Sequence, residues 1–195
     1  MRWKEGYPLD FKAALRTPST AKVRRLLSKP SHAPRFVYGA LILPTVLKYF
    51  FDLPQNAEVD MVPATLWGFK LYTMSEGGLP TILRSPEESC LVEGMLVFGL
   101  DEFQRNRISE VEGGGGMMKF VDVEVQVYQK DLVGHYEVKD LRPIDAGTFV
   151  WDRPVDPGMV PVKATYWSPD DFLAGQFYEH ITLNQRRELD LDALD

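Results

Sequence analysis

The sequence predicts an α+β domain built on a mostly antiparallel sheet, open or closed. Three observations carry this reading. Residues 119–127, KFVDVEVQV, put Val121, Val123, Val125 and Val127 on one face and Asp122, Glu124 and Gln126 on the other, the period of two of a half-buried strand. Strand-like runs outnumber helix-like ones along the chain. Their connections mix tight turns with short helices, without the regular alternation of a parallel α/β fold. The 195 residues, 45% of them apolar, suffice for one cored domain and exclude wholesale disorder.

Residues 1–34 are basic and turn-rich, with Lys22, Arg24, Arg25 and Lys29 clustered and Pro18, Pro30 and Pro34 as punctuation. They read as an N-terminal extension, a solvated strap with a short basic helix over Thr20–Ser28, and residues 1–30 are expected to be dispensable for folding. The domain proper spans 35–184. Arg35–Ile42 is apolar enough for a buried strand, and Pro44 suits the first turn of a helix on which Val46, Leu47, Phe50 and Phe51 recur at helical spacing. Thr65–Met74 and Leu79–Leu83 read as a hairpin around Glu76-Gly77-Gly78. Cys90–Phe98 is another buried strand, Asp101–Val111 a short charged helix stopped by Gly113, and Gly147–Trp151 a last short strand. Ser168-Pro169-Asp170-Asp171 is a helix start, and Leu173, Phe177 and Ile181 form that helix's apolar stripe. Residues 185–195 read as an acidic tail that frays.

Composition excludes several functions. Net charge is −6, which disfavours a phosphate backbone, so no nucleic-acid partner is expected. The most apolar stretch, Phe36–Phe51, is broken by Gly39, Pro44 and Lys48 and falls short of a bilayer span, so no membrane partner is expected either. The first twenty residues hold no secretory apolar run, and a single cysteine, Cys90, allows no internal disulfide; both point to a reducing, cytoplasmic setting. His32, His135 and His180 lack the close spacing of metal ligands, and no metal or other cofactor is expected. Gly113–Gly116 is followed by Met117, Met118 and Lys119, which is not a phosphate-loop continuation.

Two features remain. Phe36-Val37-Tyr38-Gly39-Ala40-Leu41 ends a strand in two tiny residues just before a helix, where a ligand can approach the backbone and N–H groups favour an anion; a tight structural turn is the alternative. Glu112 sits at the negative end of a helix, where partial desolvation would make it a base near neutral pH; a solvated surface glutamate is the alternative.

Tyr38-Gly39-Ala40-Leu41 resembles the Tyr-Gly-Ser/Thr-Leu signature of the gamma-glutamylcyclotransferase family, in particular its avirulence-induced-gene-like branch of plants and fungi. Later features keep the family's order. Ala64-x-Leu66-x-Gly68-Phe69-x-Leu71-Tyr72, Pro80, Val92-x-Gly94-x-Leu96, Ile108-x-x-Val111-Glu112-Gly113 and Phe149-Val150-Trp151 are similar to successive segments of it. The resemblance covers about Arg35–Trp151. Ala40 stands where the family has a hydroxyl residue. Met117 and Met118 follow the glycines where the family shows a tyrosine and an arginine, and Lys119 reaches the arginine's place only with a one-residue shift.

The resemblance implies a small β-barrel flanked by short helices, a gamma-glutamyl small molecule as substrate, Glu112 as the catalytic proton carrier, and Tyr38, Gly39, Ala40 and Leu41 as the substrate-binding backbone. In the implied reaction the substrate's own α-amine attacks its γ-carbonyl, forming pyroglutamate and expelling an amine or amino acid. The nucleophile belongs to the substrate, so neither a catalytic Ser or Cys nor a metal is required. Two other classes stand beside the enzyme: a catalytically silent binding or regulatory module on the same barrel, and an interaction protein acting through Lys22–Lys29.

Overall fold

Why the first thirty residues fold onto the domain is visible in three side chains. In α1 (Leu9–Ala14) Phe11 is buried, and in α2 (Thr20–Leu27), capped by the Ser19 hydroxyl on the Lys22 N–H, Val23 and Leu26 are buried one helical turn apart. The computed structural model describes the chain except residues 30–32, 75–79, 134–135 and 193–195, and except the side chains of residues 74, 132–133 and 186–192.

Strand β1 (Arg35–Val37) is only three residues long, because the chain turns off at Gly39–Ile42 into a 3-10 turn; the longer strand expected to Ile42 does not form. Helix α3 (Pro44–Phe50) follows, with Pro44 in its first turn as the sequence predicts. The expected Thr65–Met74 strand is two strands, β2 (Met61–Trp67) and β3 (Phe69–Met74), separated at Gly68, whose φ is +74°. Then come β4 (Thr81–Arg84), β5 (Leu91–Val97), α4 (Glu102–Glu112), a 3-10 turn at Gly114–Gly116, and a long pair, β6 (Met118–Val133) and β7 (Tyr136–Trp151). Strand β8 (Met159–Pro161) and helices α5 (Asp170–Leu173) and α6 (Gln176–Asp192) complete the chain.

Five strands close a barrel in the order β1-β5-β2-β6-β7, and β4-β3-β8 form a second sheet. The barrel is antiparallel except at its closing seam, where β1 runs parallel to β7 and pairs only at Arg35 and Gly147. Side chains reinforce that seam. The Thr148 hydroxyl donates to Phe36 O at 2.9 Å, the Tyr38 hydroxyl to Phe149 O at 2.8 Å, and the Gly147 N–H to Pro34 O at 3.0 Å. β3 and β4 pair from Phe69–Arg84 to Tyr72–Thr81, as the hairpin reading requires, while the Glu76-Gly77-Gly78 turn lies outside the described residues.

Apolar residues gather in two clusters. One fills the barrel around Phe36, Leu66, Leu96, Val125 and Val127, and includes Val23 and Leu26 of α2. The other lies between barrel and helices around Leu43, Leu47, Met95, Ile108 and Ile181, and includes Phe11 of α1. The leading segment is therefore part of the core and not a solvated strap. Charge clustering hid the pattern, since the buried Val23 and Leu26 of α2 stand among three basic side chains.

Polar contacts fix the same segment. Buried Lys48 of α3 donates to Asp10 at 3.0 Å, the Thr45 hydroxyl donates to the same carboxylate, and the Lys130 N–H of β6 donates to Pro18 O at 2.9 Å. At the other end, α6 runs on through Asp192 into the segment expected as an acidic tail, and buried Gln185 donates its Nε2 to Thr45 O at 3.1 Å.

Leu26→Ala is expected to cost about 2–5 kcal/mol in urea unfolding, as a fully buried large-to-small change does. Deleting residues 1–30 should broaden or abolish the melting transition; a truncated chain that melts cooperatively would restore the reading of a dispensable extension.

Candidate active site

The turn after β1 and the end of α4 meet at one cavity of about 300 Å³. Tyr38, Gly39, Ala40, Leu41 and Glu112, singled out in the sequence, all line it. The remaining wall is largely apolar and includes Phe50, Pro80, Met117, Met118, Trp151, Phe172 and Phe177.

Tyr38 follows β1 with extended backbone, and its ring is buried. Burial, and secondly the neighbouring Glu112 charge, push its phenol well above the usual tyrosine range, so it stays neutral and anchors the turn on β7 through Phe149 O. Gly39 has φ +62°, a left-handed conformation that L side chains rarely adopt, and a Cβ there would lie 2.6 Å from Pro80 Cγ. The glycine is thus required by the fold itself; close approach of a ligand is not its sole reason. The first N–H groups of a 3-10 turn have no partner within it, and Gly39, Ala40 and Leu41 line the cavity.

Helix α4 starts in a capping box in which Asp101 accepts from the Gln104 N–H and the Gln104 side chain accepts from the Asp101 N–H. Ile108 packs it into the core, and the helix ends at Glu112. Gly113 carries the chain so close to Ser109 O that a Cβ would sit 2.4 Å from it.

Glu112 is half-buried as a residue, but its Oε2 is sealed from solvent and has no hydrogen-bond partner among the described residues. Burial raises its pKa to about 8, against the opposing pull of Arg35. The carbonyl end of α4 acts in the same direction as burial. Glu110, two residues earlier, is exposed and paired with Arg107 at 3.1 Å.

Arg35 escaped the sequence reading. Its guanidinium lies 4.0 Å over the Phe120 ring, and burial lowers its pKa to about 10. Nothing in the sequence distinguishes it from any other strand-initial arginine.

Lys119 points outward on β6 and is exposed, while its neighbours Met117 and Met118 line the cavity. Lys119 is not among the residues that line the cavity. Phe172 and Phe177 also went unassigned to a site. Gly175 splits the helix expected from Ser168 into α5 and α6, and the two rings meet edge to face at 6.1 Å. Helix α5 is held by Asp170, which accepts from Lys4 Nζ at 2.6 Å, from the Ser168 hydroxyl at 2.7 Å and from the Tyr7 hydroxyl. These bonds, the one from Lys4 foremost, lower the Asp170 pKa to about 2.

Among the described residues no group of three His, Cys, Asp or Glu side chains could hold a metal. His180 pairs with Asn184 at 2.9 Å on α6, and His32 and His135 lie outside the described residues.

A family model described as gamma-glutamyl cyclotransferase, AIG2-like, matches residues 35–169. Two Arabidopsis thaliana proteins are similar. Protein AIG2 B is 29% identical over 124 residues, 64% of this chain and 63% of the relative, and Protein AIG2 A is 31% identical over 130 residues, 67% and 65%. The matched segment thus spans slightly less than two thirds of each relative. The solution structure of another Arabidopsis thaliana protein superposes with a TM-score of 0.50 at 23% identity, covering 84% of this chain and 97% of that one, which shows the shared fold.

Gly39→Ala is expected to destabilise the fold by about 1–3 kcal/mol through the left-handed backbone and the clash with Pro80, and Pro80→Ala in the same chain should recover part of the loss; additive effects in the double-mutant cycle would remove the clash from this account.

Between the ordinary carboxylate pKa and about 8, folded Glu112 keeps a proton that the unfolded chain has lost, so its contribution to stability declines as pH rises through that window. Glu112→Gln should therefore raise Tm at pH 8 by about 4 °C or more, with the gap closing by pH 4–5. A gap independent of pH would show that the carboxyl is not held neutral.

Proposed function

Because the chain belongs to the gamma-glutamyl cyclotransferase, AIG2-like family, we propose that it cyclises gamma-glutamyl amides to pyroglutamate. The observation that carries the proposal is the unpartnered, solvent-sealed oxygen of Glu112 in the same cavity as the Tyr38–Leu41 turn. A carboxyl with pKa about 8 is matched to moving a proton near neutral pH.

In the proposed reaction the substrate folds so that its α-nitrogen reaches the γ-carbonyl carbon. Ionised Glu112 takes a proton from the α-ammonium, and the nitrogen forms a bond to that carbon. The carbonyl oxygen becomes an oxyanion, for which the N–H groups of residues 39–41 are the assigned donors. Collapse breaks the bond to the departing nitrogen as the proton on Glu112 passes to it; the regenerated carboxylate takes the second proton from the ring nitrogen and hands it to the freed amine, so that pyroglutamate and an ammonium ion leave and the carboxylate is restored. Substrate folding is the largest contribution asked of the cavity, since the attack is intramolecular.

Met117 and Met118, where the family shows a tyrosine and an arginine, support a second reading, a binding module without turnover on the same barrel. Among the described residues no helix is long and apolar enough to cross a membrane. The lone cysteine and the net charge of −6 support a cytoplasmic setting and a small-molecule partner, not nucleic acid, within the same proposal.

Incubation with a panel of gamma-glutamyl amines and peptides, scored by mass spectrometry for pyroglutamate, tests the enzyme. Glu112→Gln should lower kcat by roughly 10²–10⁴-fold with little change in binding, while Glu110→Gln stays near wild type. Below about pH 8, kcat/KM should fall about tenfold per unit as Glu112 takes up its proton. Wild-type chain that binds panel members and releases no pyroglutamate would give the silent module the lead.

A further inference from the structure

We propose, resting on the cyclotransferase reading, that the leaving group is an amine whose substituent is uncharged, apolar and of about one aromatic ring in size, and not an amino acid or peptide. The described residues that line the cavity contain two titratable side chains, Tyr38 and Glu112, and no cation. A leaving group with its own carboxylate would add a second anion to the α-carboxylate of the gamma-glutamyl head, with no cation in the cavity lining to offset the further desolvation.

Neither Arg35 nor Arg153 lines the cavity. Arg35 stacks over Phe120 and pulls on Glu112 from outside the lining, its buried Nε without a hydrogen-bond partner among the described residues, and Arg153 donates to Gly116 O at 3.4 Å.

What the cavity offers instead is polarisable and aromatic surface. Phe172 and Phe177 stand at 74° to one another, an edge-to-face arrangement that a third ring can extend. Met117 and Met118 close another side with flexible thioethers that adapt to an apolar group. A volume of about 300 Å³ lies at the small end of ligand pockets, about 300–1,000 Å³, and suits a gamma-glutamyl head with one ring-sized substituent better than a tripeptide. The bonds made and broken are those of the ring closure above; only the departing nitrogen's substituent is specified.

The test compares gamma-glutamyl benzylamide with gamma-glutamylglycine on the whole chain, by turnover and, on Glu112→Gln, by calorimetric binding. The benzylamide is expected to be favoured by about 10–200-fold in kcat/KM, the range a hydrophobic pocket discriminates, and by a similar ratio in binding. Met117→Lys, at a position already 41% exposed, should narrow that ratio by supplying the missing cation. Equal or reversed preference in wild type overturns the inference while leaving the cyclotransferase reading intact. Selective binding of the benzylamide with no pyroglutamate from either compound sinks the cyclotransferase reading and keeps the apolar pocket. Binding of neither overturns both.

Discussion

The closing seam between β1 and β7 is the constraint on which the rest of the molecule depends. A three-residue strand supplies too few ladder bonds to close a barrel, and the two strands pair at a single position. The deficit is met by side chains, since Thr148 and Tyr38 each donate a buried hydrogen bond to a backbone carbonyl across the seam. Buried carbonyls left without those donors would cost about 1–3 kcal/mol each. The same bonds decide where the chain can leave the barrel, and so they set the position of the turn at Gly39–Ile42 and of the cavity beneath it.

Glu112 faces the opposite problem. Its carboxyl is withdrawn from water at the carbonyl end of a helix, and the one cation that pulls on it, Arg35, is itself partly desolvated and occupied with Phe120. A full ion pair would have held the acid ionised and weakly basic. Attraction at a remove leaves it able to hold a proton or release one near neutral pH, which is what the proposed transfer between two nitrogens would require. The stability lost to this arrangement is recovered in the apolar clusters around it.

Much of the barrel was legible because its signals are local. The valine alternation of β6, the proline opening α3 and the charged helix ending at Glu112 depend on neighbours in sequence, and all three appear where the sequence places them. The N-terminal packing was not legible. Phe11, Val23 and Leu26 are too few to make a periodic pattern, and their burial is decided by surfaces that form elsewhere in the chain. Likewise Tyr38–Leu41 and Glu112 could be read from ordered motifs, whereas Phe172, Phe177 and Arg35 reach the site's neighbourhood through Gly175, the closure of the barrel and packing across distant segments.

The bond from Lys4 to Asp170 joins residues 166 positions apart, and it fixes the short helix that brings Phe172 to the cavity. During synthesis the barrel strands emerge well before α5, so a closed barrel can precede a finished cavity. The aromatic wall needs α5 and α6 docked against the leading segment. Contacts of such long sequence separation are slow to form. The cavity is thus assembled from segments far apart in the chain, and its aromatic wall depends on a contact between residue 4 and residue 170.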